Sequence, residues 1–87
     1  MPKRQRRVVL FLTREQFANE TPLKMKEVRR RLLGEPSPKK VRRWIYSGIV
    51  HRATGKTIRL ECFSLAGELM TTVEAHHRFL DRLNGKE

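Results

Sequence analysis

The chain has few cysteines, few acidic residues, few aromatic residues and no long apolar run, and each shortage excludes a class of protein. Its one cysteine, Cys62, leaves no internal disulfide framework, so a reducing cytoplasm is the simplest interpretation. No apolar run approaches the roughly 20 residues of a transmembrane helix. The apolar stretch from Val8 to Leu12 is too short for the core of a signal peptide. We therefore expect a cytoplasmic protein with no membrane partner.

Residue patterns that support catalysis or metal binding are also missing. His76 and His77 are adjacent, so on a helix they point about 100° apart, and no second pair of metal ligands lies nearby in the sequence. The chain has no paired carboxylates, no nucleophile with a plausible base and no glycine-rich loop for phosphate. We expect no enzyme activity, no metal, no cofactor and no small-molecule ligand.

Positive charge is what the chain has in excess. Twenty Lys and Arg residues stand against nine Asp and Glu, which gives a formal net charge of +11 and an isoelectric point near 11.1. The 87 residues suffice for one small domain. Such a balance favours a polyanionic partner, most often nucleic acid. A merely soluble basic protein is the alternative, but the charge is clustered rather than scattered.

The segment 37–48 is the most informative part of the sequence, because it predicts a helix with defined ends. Ser37 is a good N-cap, and Pro38 suits the first helical position. Gly48 can supply a left-handed stop. The segment 34–36 separates this helix from an earlier one by a short break, so the two helices must be neighbours in space.

This helix has two incompatible faces. Val41, Trp44 and Ile45 share one stripe at i, i+3 and i+4, and that stripe requires a core. The opposite stripe requires an anionic partner, and it holds Lys39, Arg42, Arg43 and Tyr46. A short helix of this kind, which follows another helix after a tight turn, fits the major groove of DNA.

The earlier helix is predicted from about Pro22 or Met25 to Leu33. Basic residues surround its apolar stripe. The stripe consists of Met25, Val28, Leu32 and Leu33.

Beyond Gly48 the pattern changes to strands. We predict strands at 49–50 and along Ile58, Leu60 and Cys62, with a turn at 53–56. A second turn at Ala66–Gly67 would join 58–63 to 68–71 as a hairpin.

A last helix should follow this hairpin. The spacing of Thr71 and Glu74 is that of a capping box, and Asn84–Gly85 should end the helix. Its predicted buried stripe is Val73, His76, Phe79, Leu80 and Leu83.

Three regions follow from this pattern. Residues 1–7 are basic and have nothing to bury, so we expect a disordered basic arm. Residues 8–20 form an N-terminal extension, for which we expect a short strand and a helical turn begun by the Thr13–Gln16 capping box. Irregular chain packed over the domain is the alternative for this extension. Residues 21–84 are the domain itself.

From about Pro22 to Asn84, the chain resembles the excisionase-like, MerR-type winged helix-turn-helix DNA-binding proteins of bacteria, including short uncharacterised members of that group. The shared residues follow one another in the same order. They are Leu32-Leu33, Ser37-Pro38, Val41, Trp44, Gly48, Leu60-Glu61, Ala66-Gly67 and Thr72-Val73-Glu74-Ala75.

The resemblance implies a small α+β winged helix-turn-helix domain, with a hairpin wing and a C-terminal helix, here preceded by the basic arm. In such proteins the second helix enters the major groove and the wing reaches the backbone or minor groove. This sequence departs from the pattern at two points. Lys24 replaces the usual Ser or Thr cap of the first helix, and the wing tip 65–68 carries Glu68 where relatives usually carry Arg or Lys.

The function we expect is non-catalytic binding of double-stranded DNA in the bacterial cytoplasm, at the nucleoid. The protein would act as an excisionase-like recombination directionality factor or as a small transcriptional regulator. Its further partners would be a site-specific recombinase or other copies of itself on adjacent sites. The expected DNA-binding residues are Lys39, Lys40, Arg42, Arg43, Tyr46, Arg29, Arg30, Lys3, Arg4, Arg6 and Arg7.

The sequence leaves several alternatives open for the function of the protein and for the roles of single residues. An RNA-binding or ribosome-associated basic protein is the main one, although aromatic residues make up only 7% of the chain. A protein-interaction module that uses the wing and last helix is another. Tyr46 either contacts the DNA backbone or packs over the end of the first helix, and Trp44 belongs either to the core or to a stacking site. The arm either enters a minor groove or only speeds non-specific association.

Overall fold

The computed structural model describes residues 9–85, which form an α+β fold. Its helices are α1 (Arg14–Asn19), α2 (Val28–Arg31), α3 (Pro38–Tyr46) and α4 (Val73–Leu83), and a 3₁₀ turn at Met25–Glu27 leads directly into α2. The strands are β1 (Pro22–Lys24), β2 (Ile49–Val50), β3 (Thr57–Ile58), β4 (Phe63–Leu65) and β5 (Glu68–Thr72). The predicted basic arm, residues 1–7, lies outside the described residues. Within the described part, none of the helices is long and apolar enough to cross a membrane.

The strands form two separate antiparallel units. One is a three-stranded sheet in the order β1-β5-β4, with Leu23 opposite Thr71 and Ser64 opposite Leu69. The other is the hairpin β2–β3, in which Ile49 lies opposite Ile58. The predicted turn at Ala66–Gly67 joins β4 to β5, and both of its residues have positive φ, 51° and 82°. A two-residue hairpin turn of this kind matches the twist of the strands it connects.

The core lies between the helices and β1. It combines side chains from α2, α3 and α4 with the extended segment 60–62. Its fully buried members include Leu23, Val28, Val41, Ile45, Leu60, Cys62 and Phe79.

The first predicted helix is shorter than its pattern indicated. A start at Pro22 is wrong, because residues 22–24 are β1 and pair with β5. The helical chain begins at Met25, where the Glu27 carboxylate accepts a hydrogen bond from the Lys24 N–H at 2.9 Å. It ends at Arg31, because Leu32 is extended. The predicted core position of Leu33 is therefore wrong, and its side chain is 75% exposed.

The predicted continuous strand from Ile58 to Phe63 is also wrong. Ile58 pairs with β2, whereas Phe63 pairs with Met70 of β5. Between them, the Leu60 N–H donates to the Trp44 carbonyl at 3.1 Å. Leu60 and Cys62 are nevertheless buried, as their alternation predicted. The segment 58–63 is not one strand because its backbone groups form hydrogen bonds with several different elements.

The N-terminal extension packs against the domain. The expected strand is reduced to one parallel bridge between Phe11 and Cys62. The predicted capping box is confirmed, because the side chain of Thr13 accepts from the Gln16 N–H and that of Gln16 accepts from the Thr13 N–H, both at 3.0 Å. It begins α1, whose Phe17 stacks on Phe63 with ring centroids 4.2 Å apart.

The last helix has a different cap from the one predicted. Thr72, not Thr71, is the N-cap, since its hydroxyl accepts from the Ala75 N–H at 2.9 Å. Glu74 instead accepts from the N–H and the hydroxyl of Thr21, at 2.8 and 3.0 Å. The helix ends before Asn84, as predicted. In its predicted stripe, His76 and Phe79 are buried, and the other three side chains are half-buried.

Candidate nucleic-acid interface

Helix α3 is fixed at both ends and along one face. The Ser37 hydroxyl accepts from the Lys40 N–H at 3.1 Å, which confirms the predicted N-cap. Val41 and Ile45 are fully buried. After the helix, Gly48 has φ of +75°, and an added Cβ there would lie 2.7 Å from the Ile58 carbonyl oxygen. Only glycine fits this close, left-handed passage. The orientation of α3 is therefore set by the core and by its caps.

The outer face of α3 is covered by cations. Lys39, Lys40, Arg42 and Arg43 are all exposed. Among the described residues, the ion pairs shorter than 4.0 Å are those of Arg78 with Glu20 and Glu61. The four cations of α3 thus have no acidic partner within the described part of the chain. We call these four residues the basic face.

One edge of the basic face borders a groove toward the preceding turn. The groove has a volume of about 470 Å³, and its walls include Arg29, Leu33, Lys40 and Trp44. Trp44 is half-buried rather than fully buried, with its ring centroid 5.1 Å from that of Phe79. It therefore packs on the core and also reaches the surface.

The other edge borders a groove toward the β4–β5 turn. The groove has a volume of about 380 Å³, and its walls include Lys26, Arg42, Tyr46 and Glu68. Tyr46 is half-buried and packs against the core. It lines this groove together with Met25 and Lys26, at the start of the first helix. The fold brings the acidic hairpin tip next to the basic face.

The remaining predicted residues divide between α2 and the arm. Arg29 and Arg30 are exposed on α2, and Arg29 lines the first groove together with Lys40. The arm residues lie outside the described residues. They are Lys3, Arg4, Arg6 and Arg7.

The sequence patterns do not reveal a polar cluster that secures α1 to α4. The Arg78 guanidinium donates to Glu20 at 2.8 Å and to Glu61 at 2.7 Å. Hydrogen bonding to Arg78 is the main reason why the pKa of Glu20 is lowered, and the same bonds raise the pKa of Arg78. Thr72 also donates to Glu20, at 2.6 Å. These residues are 17 to 58 positions apart in sequence, so local spacing carries no trace of the cluster.

Two titratable side chains, those of His76 and Cys62, are buried. The ring of His76 stacks on Trp44, and neither ring nitrogen has a hydrogen-bond partner in the described structure. Burial is the main reason why its pKa is lowered, and His77 adds to the effect. Burial raises the pKa of the Cys62 thiol to about 11. A thiol of this kind stays protonated at neutral pH and serves as a small apolar core residue.

Comparison of the chain with known protein families, with curated proteins and with solved structures finds no match. Function is therefore inferred from the residues of this chain and from how the fold arranges them. The basic face of α3 is the largest such arrangement of unpaired cations on one helix in the described residues.

Proposed function

We propose that this protein binds double-stranded DNA without catalysing a reaction, as a small winged helix-turn-helix domain. One observation carries the proposal: among residues 9–85, the four cations of the basic face have no acidic partner, and the opposite face of their helix is packed into the core. A rigid helix with one cationic side is suited to the major groove, which is about 12 Å wide and admits an α-helix.

The arrangement around α3 supports the winged helix-turn-helix assignment. The helical chain Met25–Arg31 precedes α3 after a short turn, and the two pack together through Val28 and Val41 in the same core. The β4–β5 hairpin then places its turn beside Arg42. In this proposal α2 and α3 are the helix pair, and β4–β5 is the wing.

The residues of the interface would have different tasks. Arg43 lies on the side of α3 opposite the core stripe. Arg42 is about 100° from Arg43 around the helix axis, on the side of the wing. Arginine pairs bidentately with guanine, so one of the two should read a base while the other holds a phosphate. The remaining cations would contact the backbone or strengthen the field, and they are Lys39, Lys40, Arg29, Arg30 and, in the arm, Lys3, Arg4, Arg6 and Arg7.

The biological role we propose is that of an excisionase-like recombination directionality factor or a small transcriptional regulator in the bacterial nucleoid. Either role requires a compact DNA-binding surface and no chemistry. A site-specific recombinase or further copies of the chain on adjacent sites would be the protein partners.

RNA or ribosome binding is the competing function. Exposed Phe11, at 64%, is the observation that favours it, because RNA-binding proteins stack splayed bases on accessible rings. The other aromatic rings of the described residues are buried or half-buried. One exposed ring on the side of the N-terminal extension is weak support beside the four cations of α3.

A comparison of ligands in filter binding tests the proposal. Duplex DNA, single strands and structured RNA of equal length should be bound in that order of affinity. For about five phosphate contacts, the slope of log affinity against log salt for the duplex should be roughly −4 to −5. A flat salt response would remove nucleic acid from consideration, and preferred binding of structured RNA would establish the competing function.

A further inference from the structure

The two hairpins of this fold carry opposite charge at their turns. The β4–β5 turn presents Glu68 beside the basic face. The β2–β3 hairpin instead carries His51, Arg52 and Lys56. An acidic turn repels the phosphates that flank a helix in the major groove. A backbone contact outside α3 is thus better placed on the second hairpin.

A pocket lies between the β2–β3 hairpin and the end of α4. It has a volume of about 190 Å³, and its polar walls are formed by His51, Thr54, Lys56 and Arg82. Within residues 9–85, none of the side chains that line it is acidic. It shares no lining residue with the grooves beside α3. It is therefore a separate cationic site.

Hydrogen bonds within the hairpin hold this pocket in shape. The His51 N–H donates to the Lys56 carbonyl at 2.8 Å, and the Gly55 N–H donates to the His51 carbonyl at 2.7 Å. The Thr54 hydroxyl lies 3.3 Å from Nδ1 of His51 and accepts from the Lys56 N–H at 3.3 Å. Nδ1 of His51 thus pairs with Thr54 inside the hairpin, and Nε2, when it carries a proton, is the ring donor that remains for a phosphate.

The end of α4 does not cancel this positive charge. The carbonyls of Leu80 and Arg82 accept hydrogen bonds from the N–H groups of Asn84 and Gly85, at 3.0 and 3.1 Å. The last turn is thus capped by the backbone. Arg82 carries a full positive charge, which exceeds the roughly half elementary negative charge at the C-terminal end of a helix.

The pocket is also fixed relative to α3. The Leu60 N–H, just after β3, donates to the Trp44 carbonyl in α3, and Gly48 packs closely against Thr57 and Ile58 of β3. The longest dimension of the molecule is 37 Å, close to one turn of B-DNA at about 34–36 Å. The two cationic surfaces are therefore no further apart than about one turn of B-DNA.

We propose that the pocket formed by His51, Thr54, Lys56 and Arg82 binds a phosphate group of the DNA backbone, on the duplex that α3 contacts. This inference rests on the proposed function for the identity of the duplex. It adds a second contact site, which takes the place of the backbone contact that the acidic β4–β5 turn is unsuited to make.

The test compares two double variants that lose the same charge. Lys56→Gln with Arg82→Gln removes two pocket cations. The control, Arg14→Gln with Arg52→Gln, removes one exposed cation from α1 and one from the same hairpin outside the pocket. On a duplex of two helical turns, the pocket variant should reduce the magnitude of the salt slope by about one unit, because the pocket neutralises one phosphate, and the control should leave the slope nearer the parent value. Lys56→Gln alone, at an exposed position, should change the slope in the same direction by up to about one unit, and it guards against misfolding of the double variant.

Other outcomes overturn the inference. Equal slopes for the pocket variant and the control would show that the pocket makes no phosphate contact, whereas unchanged DNA binding in α3 variants would instead refute the proposed function. On a duplex of only about half a turn, the pocket variant and parent should bind alike. A persistent difference there would mean that a second duplex occupies the pocket. Nuclear magnetic resonance shifts of His51 and Thr54 with inorganic phosphate, but no effect of the variant on DNA binding, would assign the pocket to a free phosphate.

Discussion

Helices α3 and α4 are both amphipathic and both carry charge, yet their charged residues have opposite surroundings. The cations of the basic face of α3 have no acidic partner in the described residues. On α4, Arg78 is held by two carboxylates, and Glu74 accepts two hydrogen bonds from Thr21. The charge of a helix is therefore a poor guide to function until the partners of its charged residues are known. In the proposal, the unpaired cations of α3 contact DNA, whereas the paired charges of α4 hold the fold together.

Mutations on the two helices should therefore change different properties, either stability or affinity for DNA. Changes on the inner face of α3 or in the α4 cluster should lower stability. Changes on the basic face should leave the fold intact and lower affinity for DNA.

Trp44→Ala should have the largest effect. Trp44 packs on Phe79 and His76, so its loss should cost about 3 kcal/mol of unfolding free energy, the low end for such a truncation, because the side chain is only half-buried. Chemical denaturation measures this cost. A fully stable mutant that no longer binds DNA would move Trp44 from the core to the interface.

Arg78→Ala should come next. It leaves Glu20 and Glu61, whose side chains are only 12% and 14% exposed, without their cation. We expect a loss of about 2 kcal/mol, below the roughly 3–5 kcal/mol typical of fully buried pairs, because a third of Arg78 itself is exposed. Urea unfolding of the variant gives the value. The affinity of the folded fraction for DNA should hardly change. A loss of affinity in the folded variant would show that α4 also contributes to DNA binding.

Arg42→Ala and Arg43→Ala should show the opposite behaviour. Each should keep the unfolding free energy within about 0.5 kcal/mol, as for other surface substitutions. The variant at the base-reading position should lose about 1–3 kcal/mol of binding free energy and relax preference at one base pair, whereas loss of a phosphate contact should weaken all sequences alike. Arg14→Ala is the matched control, as an exposed arginine on α1. If both variants bind specific and random duplex as the parent does, α3 is not the reading helix.

Acidification should lower the free energy of unfolding through titratable groups on α4 and beside it. The pKa of His76 is lowered in the folded state, and so are those of Glu20 and Glu74. The unfolded chain therefore binds protons more readily, so stability is full above the unfolded pKa values and falls as the pH drops. The decline should begin near pH 6.5, through His76, and continue below about pH 4.5, through the two carboxylates.

His76→Leu provides the control for this pH dependence. Because neither ring nitrogen has a hydrogen-bond partner among residues 9–85, an apolar side chain of similar size should be tolerated at pH 7. Thermal unfolding across pH should then show only the carboxylate step. An unchanged decline from pH 6.5 in the variant would exclude His76 as its source.

Much of α3 and its surroundings was predictable from the sequence, because the relevant forces act over one or two turns. The Ser37 cap, the burial of Val41 and Ile45 and the exposure of Arg42 and Arg43 follow from helical spacing. The Ala66–Gly67 turn follows from local backbone preferences. The predictions were wrong where residues pair with a partner that is distant in the sequence. Residues 22–24 left the predicted helix to pair with β5, and Glu74 left its expected capping box for Thr21.

By itself, the sequence determined the strongly basic character of the protein, the two faces of α3 and the caps of α1 and α3. Each depends on composition or on residues three or four positions apart, where backbone geometry alone brings side chains together. Only the folded arrangement shows that, within the described residues, Arg78 has acidic partners and the basic face has none. It also brings Glu68 beside Arg42 and places Lys56 and Arg82 in one pocket. Such pairings join residues that are far apart in the chain, and they exist only because burial of the core forces the elements that carry them into contact.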